Sequence, residues 1–259
     1  MIQVIPVPAF TDNYIWLITN EQGSQCAIVD PGDAKPVLTA LQRLNLQPIA
    51  ILTTHCHRDH VGGIDGLLEQ YPDLAVYGPA TEIIPHMTRA MGDGQTVNLE
   101  PLGLSFEVLD IPGHTPGHIA YFGENSLFCG DTLFANGCGR VFGSTLETLY
   151  ASLQRLAQLP AETQVYCAHE YTVDNIGFAK WVEPDNPLLN ERLQESWDLL
   201  DSGKATVPFE LGREFSVNPF LRTHIPEVIK RAEEVAGRET QTPADVFAVL
   251  RIWKDSEYD

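Results

Sequence analysis

The sequence predicts a mixed α/β domain over roughly the first 170 residues, followed by a helical tail. Three observations carry this. Short β-rich runs alternate with turn signals as far as TQVYCA. One of them, PIAILTT, is a continuous apolar run of the kind that fills a strand buried on both faces. Beyond His169 the apolar residues change to helical spacing.

Taken in order, QVIPV, YIWLIT and QCAIVD read as strands, separated by the turn signals TDN and NEQGS. PVLTALQRLNL has helical spacing, and PIAILTT is the buried strand after it. HVGGIDGLLEQYP is expected to start a helix after a histidine cluster and to end it at Pro72. LAVYG, SFEVLDI, HIAYFG and SLFCG follow as strands. TLETLYASLQRLAQL is an amphipathic helix with Thr145 as N-cap and Pro160 beyond its end. TQVYCA is the last strand. VDNIGFAKWVEP, PLLNERLQESWDLLDSG, IPEVIKRAEEVAG and PADVFAVLRIWKD all read as helices.

Bulk properties narrow the function. An apolar share of 44% with 20% charged residues can build a substantial core. A net charge of -19 repels nucleic-acid phosphates and anionic membranes, so neither is an expected partner. An anionic substrate would need a local cationic site to overcome that field. The five cysteines (Cys26, Cys56, Cys129, Cys138, Cys167) form no CxxC pair and indicate neither a disulfide framework nor a cysteine-rich zinc site. The start lacks a basic region followed by an apolar one, and no apolar run approaches the ~20 residues of a membrane span. A cytoplasmic monomer is the expectation.

The central feature is Thr54-His55-Cys56-His57-Arg58-Asp59-His60, where the buried strand gives way to a helix start. His55 and His57 are two apart, so in extended chain they point the same way. Asp59 and His60 add a hard oxygen and a further imidazole. This exceeds what one tetrahedral catalytic metal needs and suggests two. A histidine cluster without metal is the competing reading, and the density of N and O donors disfavours it. His114 in GHTPGH, Asp131 in GDT and His169 in AHE each follow an apolar strand, so all can converge on one edge of a sheet sandwich.

In the order and context of these segments the sequence resembles the metallo-β-lactamase superfamily, with its THxHxDH pattern followed by a single His, Asp and His. The resemblance implies an αββα sandwich. It also implies that His55, His57 and His114 hold one metal, that Asp59, His60 and His169 hold the other, and that Asp131 bridges them. His118 is then expected to support a ligand, and Cys56 to point away from the metals.

TDNY, AIVDPG, LTTHCHRDHVGG, GHTPGH, GDTLFANGCGR, YCAHEYT, FAKWVEP and NPFLR are similar to glyoxalase II, the hydroxyacylglutathione hydrolase family, through nearly the whole chain. That resemblance implies a metal-binding domain over 1–170 and a helical substrate-binding domain over 171–259. It implies hydrolysis of S-D-lactoylglutathione to glutathione and D-lactate, the second step of methylglyoxal detoxification. The cofactors implied are two divalent ions, zinc first, with iron or manganese also suited to the donors. The seven metal ligands would act through a shared water whose pKa falls from 15.7 toward ~7 and which attacks the thioester carbonyl. Matching substrate-binding positions are Arg140, Phe142, His169, Tyr171, Arg251 and Lys254. Arg140 stands where some members have Lys, Phe142 where some have Tyr, and the following Gly-Ser departs from the family's usual Glu-Gly.

Four other readings compete. A β-lactamase of this fold would carry an export signal and usually a cysteine at Asp131. A nuclease is disfavoured by the charge. A persulfide dioxygenase-like enzyme would use one iron and leave the helical tail with Arg251 and Lys254 unexplained. A metal-binding or redox-partner module would hold metal and hydrolyse nothing.

Overall fold

The structure, a computed structural model, describes residues 2–20 and 23–258. Glu21 and Gln22, inside the expected turn NEQGS, lie outside the described residues. In chain order the elements begin β1 (Ile2–Ala9), β2 (Asn13–Asn20), β3 (Gln25–Val29), α1 (Ala34–Leu44), β4 (Gln47–Leu52), α2 (Arg58–Val61), α3 (Ile64–Gln70) and β5 (Ala75–Pro79). Next come β6 (Arg89–Met91), β7 (Thr96–Leu99), β8 (Leu104–Asp110), β9 (Ile119–Gly123), β10 (Ser126–Gly130), β11 (Leu133–Phe134), β12 (Gly137–Cys138), α4 (Leu146–Leu156) and β13 (Gln164–Cys167). The remainder is α5 (Thr172–Val182), α6 (Pro187–Asp201), β14 (Phe209–Glu210), α7 (Leu211–Val217), α8 (Pro226–Ala236), α9 (Pro243–Trp253) and a π-helical turn, Lys254–Tyr258.

The chain forms two compact units. One comprises Met1–Ile111, Thr115–Gly130 and Tyr166–His169; the other comprises Pro112–His114, Asp131–Val165 and Glu170–Asp259.

The first unit is a two-sheet sandwich. One sheet has the order β1-β2-β3-β4-β5-β6. Its β1–β2 and β2–β3 pairs are antiparallel, and β3–β4, β4–β5 and β5–β6 are parallel. The other sheet runs β13-β10-β9-β8-β7 within this unit. β8 alternates as a half-buried strand should, with Leu104, Phe106 and Val108 buried and Ser105 and Glu107 exposed. β2 is buried along nearly its whole length, because helices cover one face of its sheet and the second sheet covers the other. On the helix side, Val37 and Leu41 of α1 and Ile64 and Leu67 of α3 pack on Ile28, Ile51 and Val76. Between the sheets, Trp16 meets Tyr166 edge-on at 5.1 Å, Tyr166 stacks on Phe128 at 4.9 Å, and Phe128 meets Phe106 at 5.8 Å. The Trp16 indole N–H donates to the Cys167 carbonyl at 3.0 Å, which satisfies its one polar atom in the core.

Each strand expected from an apolar run is present. The helix expected after the histidine cluster differs: it starts inside the cluster, at Arg58, and breaks at Gly62-Gly63 before α3. The break follows from packing. A Cβ on Gly63 would lie 2.5 Å from the Ala34 nitrogen, and the Gly63 N–H donates to the Pro31 carbonyl at 2.8 Å. The short β6, β7, β11, β12, β14 and α7 have no counterpart among the expected elements.

The second unit is mostly helical. Thr145 caps α4 as expected, accepting from the Thr148 N–H at 3.1 Å, and the helix ends before Pro160. Thr242 caps α9 in the same way, accepting from the Asp245 N–H at 3.1 Å. Phe178, Phe220 and Phe247 form its aromatic core, with Phe220 lying 5.8 Å from Phe178 and 5.7 Å from Phe247. The hairpin β11–β12 is pinned from α7. Glu214 accepts from the Asn136 N–H at 2.6 Å and from the Asn218 amide at 3.0 Å, and Asn218 also donates to Gly137 at 3.0 Å. No helix of the described residues is long and apolar enough to cross a membrane.

Burial pushes the Glu214 carboxyl up to about 7, against the opposing charge of Arg192 and the hydrogen bonds from Asn136 and Asn218. Between its ordinary 4.5 and about 7 the folded state therefore holds a proton that the unfolded state has released. The sign is that Glu214 contributes a loss of stability as pH rises through this window. Glu214→Gln is expected to flatten that fall in urea unfolding of the metal-free protein between about pH 5 and about pH 7. A slope equal to that of the unsubstituted protein would count against it.

Candidate metal centre

β3 and β4 are parallel neighbours, so their carboxyl ends lie at one edge of the sheet. Asp30 follows β3 and reaches across to the chain leaving β4. Its carboxylate accepts from the Thr54 N–H at 2.7 Å and the Thr54 hydroxyl at 2.8 Å. It also stands 3.1 Å from His60 Nδ1. Asp30 adopts φ 51, and Gly32 beside it is so tightly placed that a Cβ would lie 1.8 Å from the Asp59 carbonyl oxygen.

On this support the first unit gathers most of the expected donors. The fully buried His55 has Nδ1 3.1 Å from the Thr54 hydroxyl and Nε2 3.1 Å from His57 Nδ1. Its ring stacks on His118 at 4.5 Å and 19°, and His118 Nδ1 lies 3.0 Å from the Ile119 carbonyl. His118 therefore packs directly on His55. Asp59, His60 and His169 form a second group, with ligand atoms within 4.8 Å of one another. Asp59 Oδ2 lies 3.5 Å from His60 Nε2 and 3.4 Å from His169 Nε2, and accepts from the Asn13 amide at 3.0 Å. Burial alone would raise the Asp59 carboxyl, but hydrogen bonds from His169, His60 and Asn13 hold it far below the usual carboxylate range. Asp59 is thus an ionised acceptor with its lone pairs already directed.

His169 Nδ1 is held by Asp12 at 2.8 Å. Asp12 and Asn13 come from the β1–β2 turn, which bridges to His169 through Asn13 and through a Tyr14 N–H···Ala168 carbonyl bond of 2.7 Å. Cys56 is exposed, and its N–H donates to Glu82 at 2.7 Å. Burial, then the hydrogen bond and charge of Glu82, push its thiol up to about 11, and it joins none of the groups of converging donors among the described residues.

The second unit holds His114 and Asp131. His114 Nδ1 lies 2.9 Å from the Arg140 carbonyl, and Nε2 lies 3.5 Å from Asp131 Oδ2. Phe142 donates its N–H to the His114 carbonyl at 2.8 Å and sets its half-exposed ring edge-on to the imidazole at 5.3 Å. Tyr171 packs against Phe134 at 5.3 Å. Two of the expected substrate-binding cations are more enclosed than an amphipathic helix end suggests. Arg251 is 1% exposed, donating to the Cys138 carbonyl at 3.1 Å and pairing with Asp255 at 2.8 Å. Lys254 is 5% exposed and lies 3.5 Å from Asp174. Arg140 remains half exposed, 3.5 Å from the same Asp255.

The donors fit divalent metal ions. In His55, His114 and His169 one ring nitrogen is held by an outer oxygen, which aims the other toward a fellow donor, and His60 Nδ1 stands beside the Asp30 carboxylate. The separations of 3.1 to 3.5 Å match the roughly 3.3 Å expected between two atoms each bonded to one tetrahedral ion. Imidazole and carboxylate without thiolate suits zinc, iron or manganese. Sequence reasoning assigns no role to Asp12, Asn13, Asp30, Thr54 or Glu82. Asp30 directly follows the apolar strand β3, which is the signal that identifies Asp131 after β10.

The metallo-beta-lactamase superfamily profile matches residues 9–169, and the profile of the hydroxyacylglutathione hydrolase C-terminus matches residues 170–257. A hydroxyacylglutathione hydrolase of Nitrosomonas europaea is 51% identical over 256 residues, covering 99% of this chain and 97% of its own length. Among solved structures, ETHE1 from Myxococcus xanthus superposes with a TM-score of 0.65 at 24% identity, covering 96% of this chain and 89% of its own. TTHA1623, solved in a di-iron-bound form, has a TM-score of 0.54 at 34% identity, covering 64% of this chain and 91% of its own. Matched by both profiles along nearly its whole length, the chain belongs to the hydroxyacylglutathione hydrolase family of the metallo-beta-lactamase superfamily.

Proposed function

We propose that this protein hydrolyses S-D-lactoylglutathione to glutathione and D-lactate, the second step of methylglyoxal detoxification. The observation that carries the reading is the near full-length identity with a hydroxyacylglutathione hydrolase, joined to a donor set of the right chemistry. In this reading His55, His57 and His114 hold one divalent ion, Asp59, His60 and His169 hold a second, and Asp131 touches both. A relative solved with two irons supports the number, and zinc is the ion we favour. We take the protein to act as a monomer. Five free cysteines, one of them exposed, are in keeping with the reducing cytoplasm.

Ions bound there supply a water nucleophile ionised near neutral pH and a Lewis acid for the carbonyl oxygen. The residues do the rest. Asp59, held ionised, would accept a hydrogen bond from the attacking water and orient it, and is not a free base. A thiol pKa of about 8.5 lets glutathione leave as thiolate without a strong general acid. Residues 171–259 are taken as the substrate-binding part, with Arg140 joining Arg251 and Lys254. Arg140 and Arg251 lie beside Asp255 and Lys254 beside Asp174, and in this reading the three cations meet a substrate carboxylate. Phe142, Tyr171 and His169 complete the proposed substrate contacts.

Purified protein is expected to contain two metal ions per chain, to lose thioesterase activity on chelation and to regain it with zinc. One iron per chain with oxygen-dependent turnover of glutathione persulfide would contradict the reading. Arg140→Ala and Lys254→Gln are each expected to raise KM for S-D-lactoylglutathione by about 10-fold with a smaller change in kcat. Unchanged KM in both would remove them from the substrate site. Arg251→Ala is less informative, because its burial and its bond to Cys138 tie it to stability.

A further inference from the structure

Glu82 lies in the loop after β5, away from every expected ligand. The loop is a surface feature: its next residue, Ile83, is 92% exposed. Yet the Glu82 carboxylate is fully engaged. One oxygen accepts from the Cys56 N–H at 2.7 Å and the other from the Gly117 N–H at 2.9 Å. These donors belong to different segments, 61 residues apart, each adjoining a histidine of the proposed centre. Cys56 is the residue between His55 and His57. Gly117 precedes His118, whose ring stacks on His55.

The approach leaves no slack. A Cβ on Gly117 would lie 2.3 Å from the Thr81 hydroxyl and 2.6 Å from Glu82 Cγ. Deeper in, the same two segments are joined by an Ile119 N–H···Thr54 carbonyl bond of 3.0 Å and by the Tyr121 hydroxyl on Thr53 at 2.9 Å. Those bonds fix the strand ends. The Glu82 carboxylate joins the segments farther out, where the His55-Cys56-His57 peptides turn. An ionised carboxyl is an acceptor with two oxygens, so it alone among side chains of this length receives two N–H groups with no donor left facing one of them.

We infer that Glu82 is a positioning residue for the metal centre, a carboxylate clamp that holds the His55–His57 segment and the Gly117–His118 segment in register so that the imidazoles are set before metal arrives. The inference rests on the metal-binding reading above. Glu82 touches no reacting atom. It acts through the two backbone segments it joins, and charge-assisted bonds to backbone N–H groups give it the strength to do so.

The test is zinc competition against a chromophoric chelator for the unsubstituted protein, Glu82→Ala, Glu82→Gln and Asp59→Asn, with melting of each metal-free form. Glu82→Ala is expected to weaken zinc binding about 10- to 100-fold, as for loss of an outer partner of a ligand, with its metal-free melting midpoint unchanged. Glu82→Gln keeps one acceptor and turns an amide N–H₂ toward the other donor, so it should fall between. Zinc affinity in Glu82→Ala equal to the unsubstituted protein would overturn the inference. So would a loss of affinity matched by an equal loss of metal-free stability, which marks a structural role only. If the unsubstituted protein and Asp59→Asn bind zinc equally weakly, the metal reading itself fails, which the Glu82 variants alone would not reveal.

Discussion

A single carboxylate, Asp30, governs how the chain leaves the central sheet. It accepts both the backbone and hydroxyl hydrogens of Thr54 and faces His60 Nδ1. Because Thr54 in turn meets His55 Nδ1, two imidazoles on either side of a turn are aimed from one anchor. The anchor works only where parallel β3 and β4 end together and where Gly32, Gly62 and Gly63 let backbones approach within distances a Cβ would forbid. The same device recurs with other oxygens, Asp12 at His169 and the Arg140 carbonyl at His114. Each holds one ring nitrogen, which fixes the ring and raises its basicity.

Charge sets the second constraint. A chain of net charge -19 repels an anionic thiol conjugate at long range, so recognition must come from cations at short range. In the second unit these cations are not bare. Asp255 is shared by Arg140 and Arg251, and Asp174 accompanies Lys254. Carboxylates already in place stabilise buried cations that would otherwise be costly to desolvate.

Much of the fold is legible in the residue pattern, for physical reasons. Apolar runs such as PIAILTT and alternating ones such as LSFEVLD carry strand identity locally. β6, β7 and the β11–β12 hairpin do not, since each strand has two to four residues and exists only because a neighbour supplies its hydrogen bonds. The ligand candidates are legible because each is a polar residue directly after an apolar strand. Asp30 obeys the same rule, and Asp12 and Asn13 sit between two strands, but none stands out, because a carboxylate or amide in a turn is ordinary. Glu82 gives no local signal, since its partners are backbone groups far along the chain. The burial of Arg251 is equally hidden: an arginine on a helix end is usually solvated, and only the Cys138 carbonyl, Asp255 and the Phe220 face explain its enclosure.

Everything turns on whether these preset rings meet two ions. Anomalous diffraction from zinc-loaded crystals, recorded on both sides of the zinc absorption edge, locates the ions without reference to activity. Two peaks are predicted, one against His55, His57 and His114, the other against Asp59, His60 and His169, with Asp131 touching both. A single peak, or peaks away from these side chains, would contradict the paired-ion centre.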